Sequence, residues 1–294
     1  MLTTPQVNAL TRQYGVGASE HFLYALIDHS GMPGLANRLN GYPVQWDSLL
    51  GSTKDARSLP AAPLLIRIET AENALLHPGL IDWVCEHGTF TSSVMFLASP
   101  LPMDDLVRRL KVRLDATLPD KLDVILRFFD PRTFESLLQI LTETQKQQFL
   151  SVATSWWFVD RRGELQKVPS MLAVTDRYVS PMMLSVAQQG RMIDASEPDQ
   201  VENLLLGQEG INFDGLPHHK RHDFVLRHSA AAHTIGITAI HEIASYCALA
   251  MAYGESFVAK PEWQVALKQV AIGVWTLQQA IVSVENSAEN ESDV

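Results

Sequence analysis

Two carboxylates and a run of histidines are the residues of this chain whose types and spacing can do chemistry. Asp28 ends the apolar run Phe22–Ile27, and Asp130 follows the apolar run Val124–Phe129. Both runs read as short buried strands, rich in β-branched and aromatic side chains. In open α/β sheets, ligands and catalytic groups gather beyond the carboxyl ends of strands. Paired carboxylates there, with His29 beside one, outline a general acid/base site of the kind a hydrolase uses. The same residues have an ordinary structural use. Asp130 before Pro131 has the chemistry of a helix N-cap, because its carboxylate can accept from the first-turn N–H groups. Pro131 suits the first helical position, and Arg132 then sits at the exposed start of that helix. Asp28 before His29-Ser30-Gly31 is a turn residue. The structural use is the expectation; a hydrolase using Asp28 and Asp130 is the alternative.

The histidines are His218, His219 and His222, interleaved with Lys220 and Arg221, then His228, His233 and His241. A zinc site of the HExxH kind needs two histidines on one helix face, but His241-Glu242 is followed by Ile243-Ala244-Ser245. A helix break expected at Gly236 also separates His233 from His241. No metal site is therefore expected. The run Pro217–His222 reads as a solvated loop, or as a cationic contact patch (His218, His219, Lys220, Arg221, His222) for an acidic partner. There is no GxGxxG, no Walker-type Gly-Lys-Ser/Thr and no GxSxG, so no cofactor is expected.

The elements that must position these residues fall into two groups. Up to Val168, strand and helix signals alternate. The chain predicts strands at Phe22–Ile27, Leu64–Ile68, Val94–Leu97 and Val124–Phe129, and helices at Asn73–Glu86, broken in two at Pro78-Gly79, at Asp104–Leu118, and after Asp130 with Phe134, Leu137, Leu138 and Leu141 on one side. In the second helix Leu106, Val107, Leu110 and Leu114 share one face, and Arg108, Arg109, Lys111 and Arg113 cover the other. A hairpin follows, Trp156–Val159 and Leu165–Val168, turning at Asp160-Arg161-Arg162-Gly163. Trp156 and Trp157 read as core, with one ring able to face a partner. After Pro169 the pattern is helical: Tyr178–Gln189, Gln200–Leu206, a helix ending near Gly236, one ending at Gly254, and a long final helix from Pro261. Its stripe is Trp263, Leu267, Val270, Val274, Leu277, Ile281 and Val284. The expected architecture is an α+β or α/β N-terminal lobe over residues 1–170, a sheet flanked by helices, and an all-α lobe over 171–294.

At 294 residues, 46% hydrophobic and 19% charged, the chain can bury a substantial core. A net charge of −10 argues against nucleic acid as a partner. The only cysteines, Cys85 and Cys247, stand far apart and read as buried free thiols of a reducing compartment. The apolar run Tyr246–Tyr253 is far shorter than the about 20 residues of a membrane span. No signal peptide is read in Met1–Tyr14. The expectation is a soluble cytoplasmic protein with no membrane partner. A third functional reading is a small-molecule module with a deep apolar pocket in the crevice between lobes.

An ordered set of segments resembles a known family. They are Phe22-Leu-Tyr-Ala-Leu-Ile-Asp28, Trp46-Asp-Ser-Leu-Leu50, Ala62-Pro-Leu-Leu-Ile66, Gly88-Thr-Phe90 before Ser92-Ser93, the helix Leu106–Leu114, and Arg127-Phe-Phe-Asp-Pro-Arg132. A second block is Ala232–Thr238 with Gly236-Ile-Thr, then Tyr246, Gly254, Phe257 and Pro261. Together they resemble the effector adaptor/chaperone family of bacterial type VI secretion systems, long labelled only a domain of unknown function. The chain departs from the pattern at Phe129, where the second aromatic is usually Tyr, and at Ile235, often Tyr. The resemblance implies a protein of the Gram-negative cytoplasm that is not an enzyme and needs no cofactor. It implies two partners, a cognate toxic effector and the VgrG spike on which the effector is mounted. It also marks Asp28, Arg127, Asp130, Pro131, Arg132 and Gly236 as motif positions with structural roles.

Overall fold

The computed structural model describes residues 1–14, 21–51, 62–68, 78–206, 208 and 211–292. They form two compact units, Met1–Met192 and Ile193–Val294. The first half of the helix expected over Asn73–Glu86 lies outside the described residues.

The first unit is built on a six-stranded sheet. Its strands are β1 (Phe22–Asp28), β2 (Trp46–Ser48), β3 (Pro63–Arg67), β4 (Val94–Ser99), then β7 (Ser155–Val159) and β8 (Leu165–Pro169). Between β4 and β7 lie β5 (Asp115–Thr117) and β6 (Asp123–Ile125) of a second sheet, which β9 (Met182–Met183) completes. The large sheet has the order β2-β3-β1-β4-β7-β8, and every neighbouring pair is antiparallel. Ala25, for example, lies between Ile66 of β3 and Phe96 of β4.

Both faces of this sheet are covered, which is why its central strands are continuously apolar rather than alternating. Tyr24, Leu26, Met95, Leu97, Trp156 and Phe158 face one core, closed by α4 (Met103–Lys111), α5 (Pro131–Ile140) and α6 (Glu143–Leu150). Leu23, Ala25, Ile27, Phe96, Ala98 and Trp157 face the other, closed by α1 (Thr4–Tyr14), α2 (Leu35–Leu39) and α3 (Pro78–Gly88). Trp156 and Trp157 thus point to opposite faces and both are buried.

Three sequence expectations need correction here. The sheet is antiparallel, so the carboxyl ends of neighbouring strands alternate between its edges and define no common catalytic edge. The strand expected to run to Phe129 stops at Ile125; Leu126, Phe128 and Phe129 are buried instead in an irregular turn. The helix expected over Asp104–Leu118 ends at Lys111, tightens into a 3-10 turn over Val112–Leu114 and continues as β5.

That tightening turns Arg113 inward, out of the basic face where its spacing placed it. Arg113 is fully buried. Its guanidinium donates to the carbonyls of Phe149 (2.8 Å), Gln148 (3.0 Å) and Arg109 (2.7 Å). It also meets both carboxylate oxygens of Asp176, at 2.8 and 2.9 Å, and lies over the Tyr178 ring. Burial alone would raise the Asp176 carboxyl, but Arg113's hydrogen bonds and charge outweigh it and hold it below the usual range. Burial pushes the Tyr178 hydroxyl up to about 12. Arg109 adds bonds to the carbonyls of Ala173 and Val174. The strap beyond β8 is thereby tied to the first unit, and β9 pairs with β5 through Ala116↔Met182. The first unit therefore reaches Met192 rather than 170, and residues 171–192 do not belong with the helical part.

The second unit is helical. α7 (Val186–Leu206) starts ahead of its boundary and runs unbroken where two helices were expected, with Pro198 inside it. α8 (His218–Thr234), α9 (Ile240–Tyr253), α10 (Pro261–Ala271) and α11 (Leu277–Ser292) follow. Residues 225–285 contain no strand, as expected. Gly236 ends α8 with φ +82°. Its N–H bonds the His233 carbonyl, and the next, Ile237 N–H, reaches back to Ala232 at 3.1 Å. That is a Schellman cap, which needs a left-handed residue here. The long final helix is instead two, α10 and α11, separated at Gly273. Trp263, Leu267, Leu277 and Val284 are buried as their spacing predicts, but Val274 falls in the break and is exposed.

Candidate functional site

The motif residues of the N-terminal half, scattered along the sequence, meet around the end of β1. Asp28 closes that strand, and its N–H donates to the Ser93 carbonyl at 2.9 Å. Its carboxylate is buried. One oxygen accepts from the Ser30 N–H (3.0 Å) and hydroxyl (2.7 Å), a local turn of the kind short polar side chains make. The other accepts from Arg127 Nη2 at 2.6 Å. Arg127 and Asp28 are distant in sequence, and this ion pair fastens the 126–130 turn to the sheet.

The turn itself is held by its backbone and side chains together. The Asp130 N–H donates to the Arg127 carbonyl at 3.0 Å, and the Arg127 guanidinium lies over the Phe129 ring, 5.2 Å from its centre. Phe128 and Phe129 are buried, with Phe128 edge-on to Phe149. Asp130 then caps α5 as its sequence predicts. Its Oδ1 accepts from the Arg132 N–H at 2.9 Å, and Pro131 fills the first helical position. Arg132 folds back so that Nε and Nη2 both bond the same carboxylate, at 3.1 and 2.8 Å.

Each carboxylate of the imagined catalytic pair is thus buried and engaged by its own arginine. Among the described residues His29 Nδ1 has no hydrogen-bond partner, and it takes no part in either network. Asp130→Ala should cost about 1 kcal/mol, the loss of a helix cap. The half-exposed ion pair with Arg132 adds little. Urea unfolding of the variant checks this, and a loss above about 3 kcal/mol would mean the carboxylate does more than cap.

The histidine-rich run is not a loop. It is the first turn of α8, and the five residues have unequal surroundings. His218, His219 and Lys220 are exposed, and His222 is half-buried. Arg221 is buried. Its Nε donates to the Leu216 carbonyl at 2.9 Å, and its Nη2 meets Asp214. It therefore belongs to the support of the turn before α8, not to an exposed cationic patch. Burial, then the Arg221 charge, lowers the pKa of His218. Cations at a helix start oppose the helix dipole, which acts in the same direction on His218. His233 and His241 fall on different helices, and His233 bonds Glu197 at 2.9 Å. Among the described residues no three His, Cys, Asp or Glu side chains are placed to hold a metal ion. Cys85 and Cys247 are buried and free, and burial raises both thiols, Cys247 to about 12.

Sequence reasoning missed the surface of the strap. Met171, Val174, Val179, Met183 and Val186 are each more than half exposed. Arg109 ties the strap inward at the Ala173 and Val174 carbonyls and Arg113 at the Asp176 carboxylate, while these apolar side chains face out. The signal was present as an apolar residue every few positions from 171 to 186, but it reads equally well as a helix face.

The region that carries most of this geometry is also the region that other proteins share. Residues 23–148 match the family described as a domain of unknown function, DUF4123. The match takes in Asp28, Ser93, Arg127, Asp130 and Arg132, and stops short of the strap and the helical unit. No curated protein matches the chain, and no solved structure does. Among the described residues no helix is long and apolar enough to cross a membrane.

Proposed function

We propose that this protein is an effector adaptor of a type VI secretion system. In this reading it binds a toxic effector in the cytoplasm and delivers it to the VgrG spike, acting by binding and not by catalysis. The observation that carries the reading is the convergence of the family-like segments. Asp28, Ser93, Arg127 and Asp130 come together as bonded supports of one turn, within the DUF4123 match. A family signature that builds architecture around buried, arginine-bound carboxylates suits a binding scaffold. The exposed apolar strap supports the same reading, because apolar surface of that kind marks contact with other proteins.

Co-expression tests it. The chain should keep the toxin encoded beside it soluble and co-purify with it, and should bind the matching spike directly or through the toxin. A stable complex buries roughly 1,200–2,000 Å² and survives purification at moderate salt. Deleting the gene should stop delivery of that toxin while the apparatus still fires others. Delivery that continues without the gene, or loss of all firing, would overturn the reading.

A further inference from the structure

The strap from Ser170 to Pro181 is neither helix nor strand, and its first part is one wall of a groove of about 960 Å³. The other wall is a face of α6, where Glu143, Lys146, Gln147 and Leu150 line it at helical spacing. Leu150 and Val168 bring side chains of the core to it. On the strap side Met171 and Val174 are 87% and 92% exposed, so the rim is apolar and open. The main chain of the strap is only partly used. The Ala173 N–H bonds the Ser151 carbonyl, and the Ala173 and Val174 carbonyls accept from Arg109. The N–H and carbonyl groups of Met171 and Leu172 bond no described residue. Charge adds a third feature. Glu143 and Lys146 pair with each other at 2.6 Å, and Asp176 is held by Arg113. Arg177 lines the same groove, is exposed and bonds no described residue, so the groove is positive on a chain of net charge −10.

We propose that this groove receives one segment of a partner protein, crossing it in extended form, apolar where it meets Met171 and Val174 and carrying an Asp or Glu for Arg177. This rests on the adaptor reading, under which the segment belongs to the toxin, and adds the surface and the sequence it accepts. An extended segment bonds open main-chain groups such as those of Met171 and Leu172, while its side chains supply selectivity. Arg177 selects an acidic residue by charge and by its planar donors. A small ligand needs walls on most sides, which so exposed a rim does not supply. A second copy of the chain is opposed by the repulsion of two net charges of −10.

The test uses the full chain and the toxin encoded beside it. A photo-crosslinking residue placed by Gln147→benzoylphenylalanine should capture a single toxin segment, apolar and containing Asp or Glu. Calorimetric titration should show roughly tenfold or greater loss of affinity for Met171→Ser combined with Val174→Ser, and for Arg177→Glu. These side chains are exposed, so melting temperatures should stay within a few degrees of wild type. Changing the acidic residue of the captured segment to Lys should restore binding to Arg177→Glu. If wild type and both variants bind the toxin equally well, the groove is wrong and the adaptor reading stands. If the chain alone sediments as a dimer that the Met171 and Val174 changes dissociate, the occupant is a second copy and the proposal is overturned. If wild type binds neither the toxin nor the spike, the adaptor reading fails and the proposal falls with it.

Discussion

Replacing Arg113 by methionine should destabilise the first unit by about 3–5 kcal/mol, the cost of stripping one partner from a buried ion pair. The substitution removes a cation from a site with no exposure, takes the guanidinium donor from the carbonyls of Arg109 and Phe149 (Gln148 keeps the Ser151 hydroxyl), and frees the Asp176 carboxylate. Asp176 is only partly buried, so part of its loss is recovered in water; the orphaned carbonyls are not. The strap should come loose first. Limited proteolysis should cut between Ser170 and Tyr178 in the variant and not in wild type, and urea unfolding should give the magnitude. Acid should weaken the same contact. The Asp176 carboxyl lies below its ordinary value in the folded protein, so its contribution is complete above the unfolded pKa. That contribution is lost as pH falls through the folded value. A variant that unfolds within about 1 kcal/mol of wild type would show that the strap is held by something else.

Gly163→Ala should cost about 2–4 kcal/mol, more than a hairpin turn normally does. Two penalties add. The residue has φ +78°, where a side chain is strained. A Cβ there would also stand 2.8 Å from both Phe90 Cε1 and Thr89 Cγ2, inside van der Waals contact. Thr89 is pinned by its hydroxyl on the Cys85 carbonyl and is buried, so it cannot easily give way. Gly236→Ala is the internal control. Its φ is +82°, but nothing lies within 4 Å of the added atom, so only the conformational penalty of about 1–2 kcal/mol applies. Thermal unfolding of the two variants should rank Gly163→Ala as the worse. Equal losses would mean that Phe90 moves aside and the collision carries no weight.

These two glycines also show what a sequence discloses. Gly163 and Gly236 were legible as turn and helix stop because local conformation is written in local residue types. The Asp130 cap, the hairpin and the helical second unit were legible for the same reason. Arg113 was not. Its spacing put it with Arg108, Arg109 and Lys111, and only the 3-10 turn at Val112 rotates it inward, toward a carboxylate far along the chain. The run to Phe129 failed likewise. Burial of Leu126, Phe128 and Phe129 looks the same in a turn as in a strand, and no residue there reports the difference. Antiparallel pairing was hidden because strand–helix alternation is the pattern of a parallel sheet too. At the site, Asp28 and Asp130 were found as residues, but their partners were half visible: Arg132 stands just beyond Pro131 from Asp130, whereas Arg127 reaches Asp28 only through tertiary structure. The buried member of the histidine run, Arg221, was lost by reading a helix start as a loop.

The order of strands has a bearing on synthesis. β1 emerges first but sits at the centre, with Ala25 waiting for Ile66 on one side and Phe96 on the other, and Phe96 in turn waiting for Trp157. Pairings so far apart in the chain form slowly. A ribosome making this protein therefore trails a growing sheet whose open margin is apolar until β7 has left the exit tunnel, and Asp176 must follow before Arg113 has its counter-charge. During that interval the nascent chain is itself a client for whatever guards unfinished polypeptides in the cell.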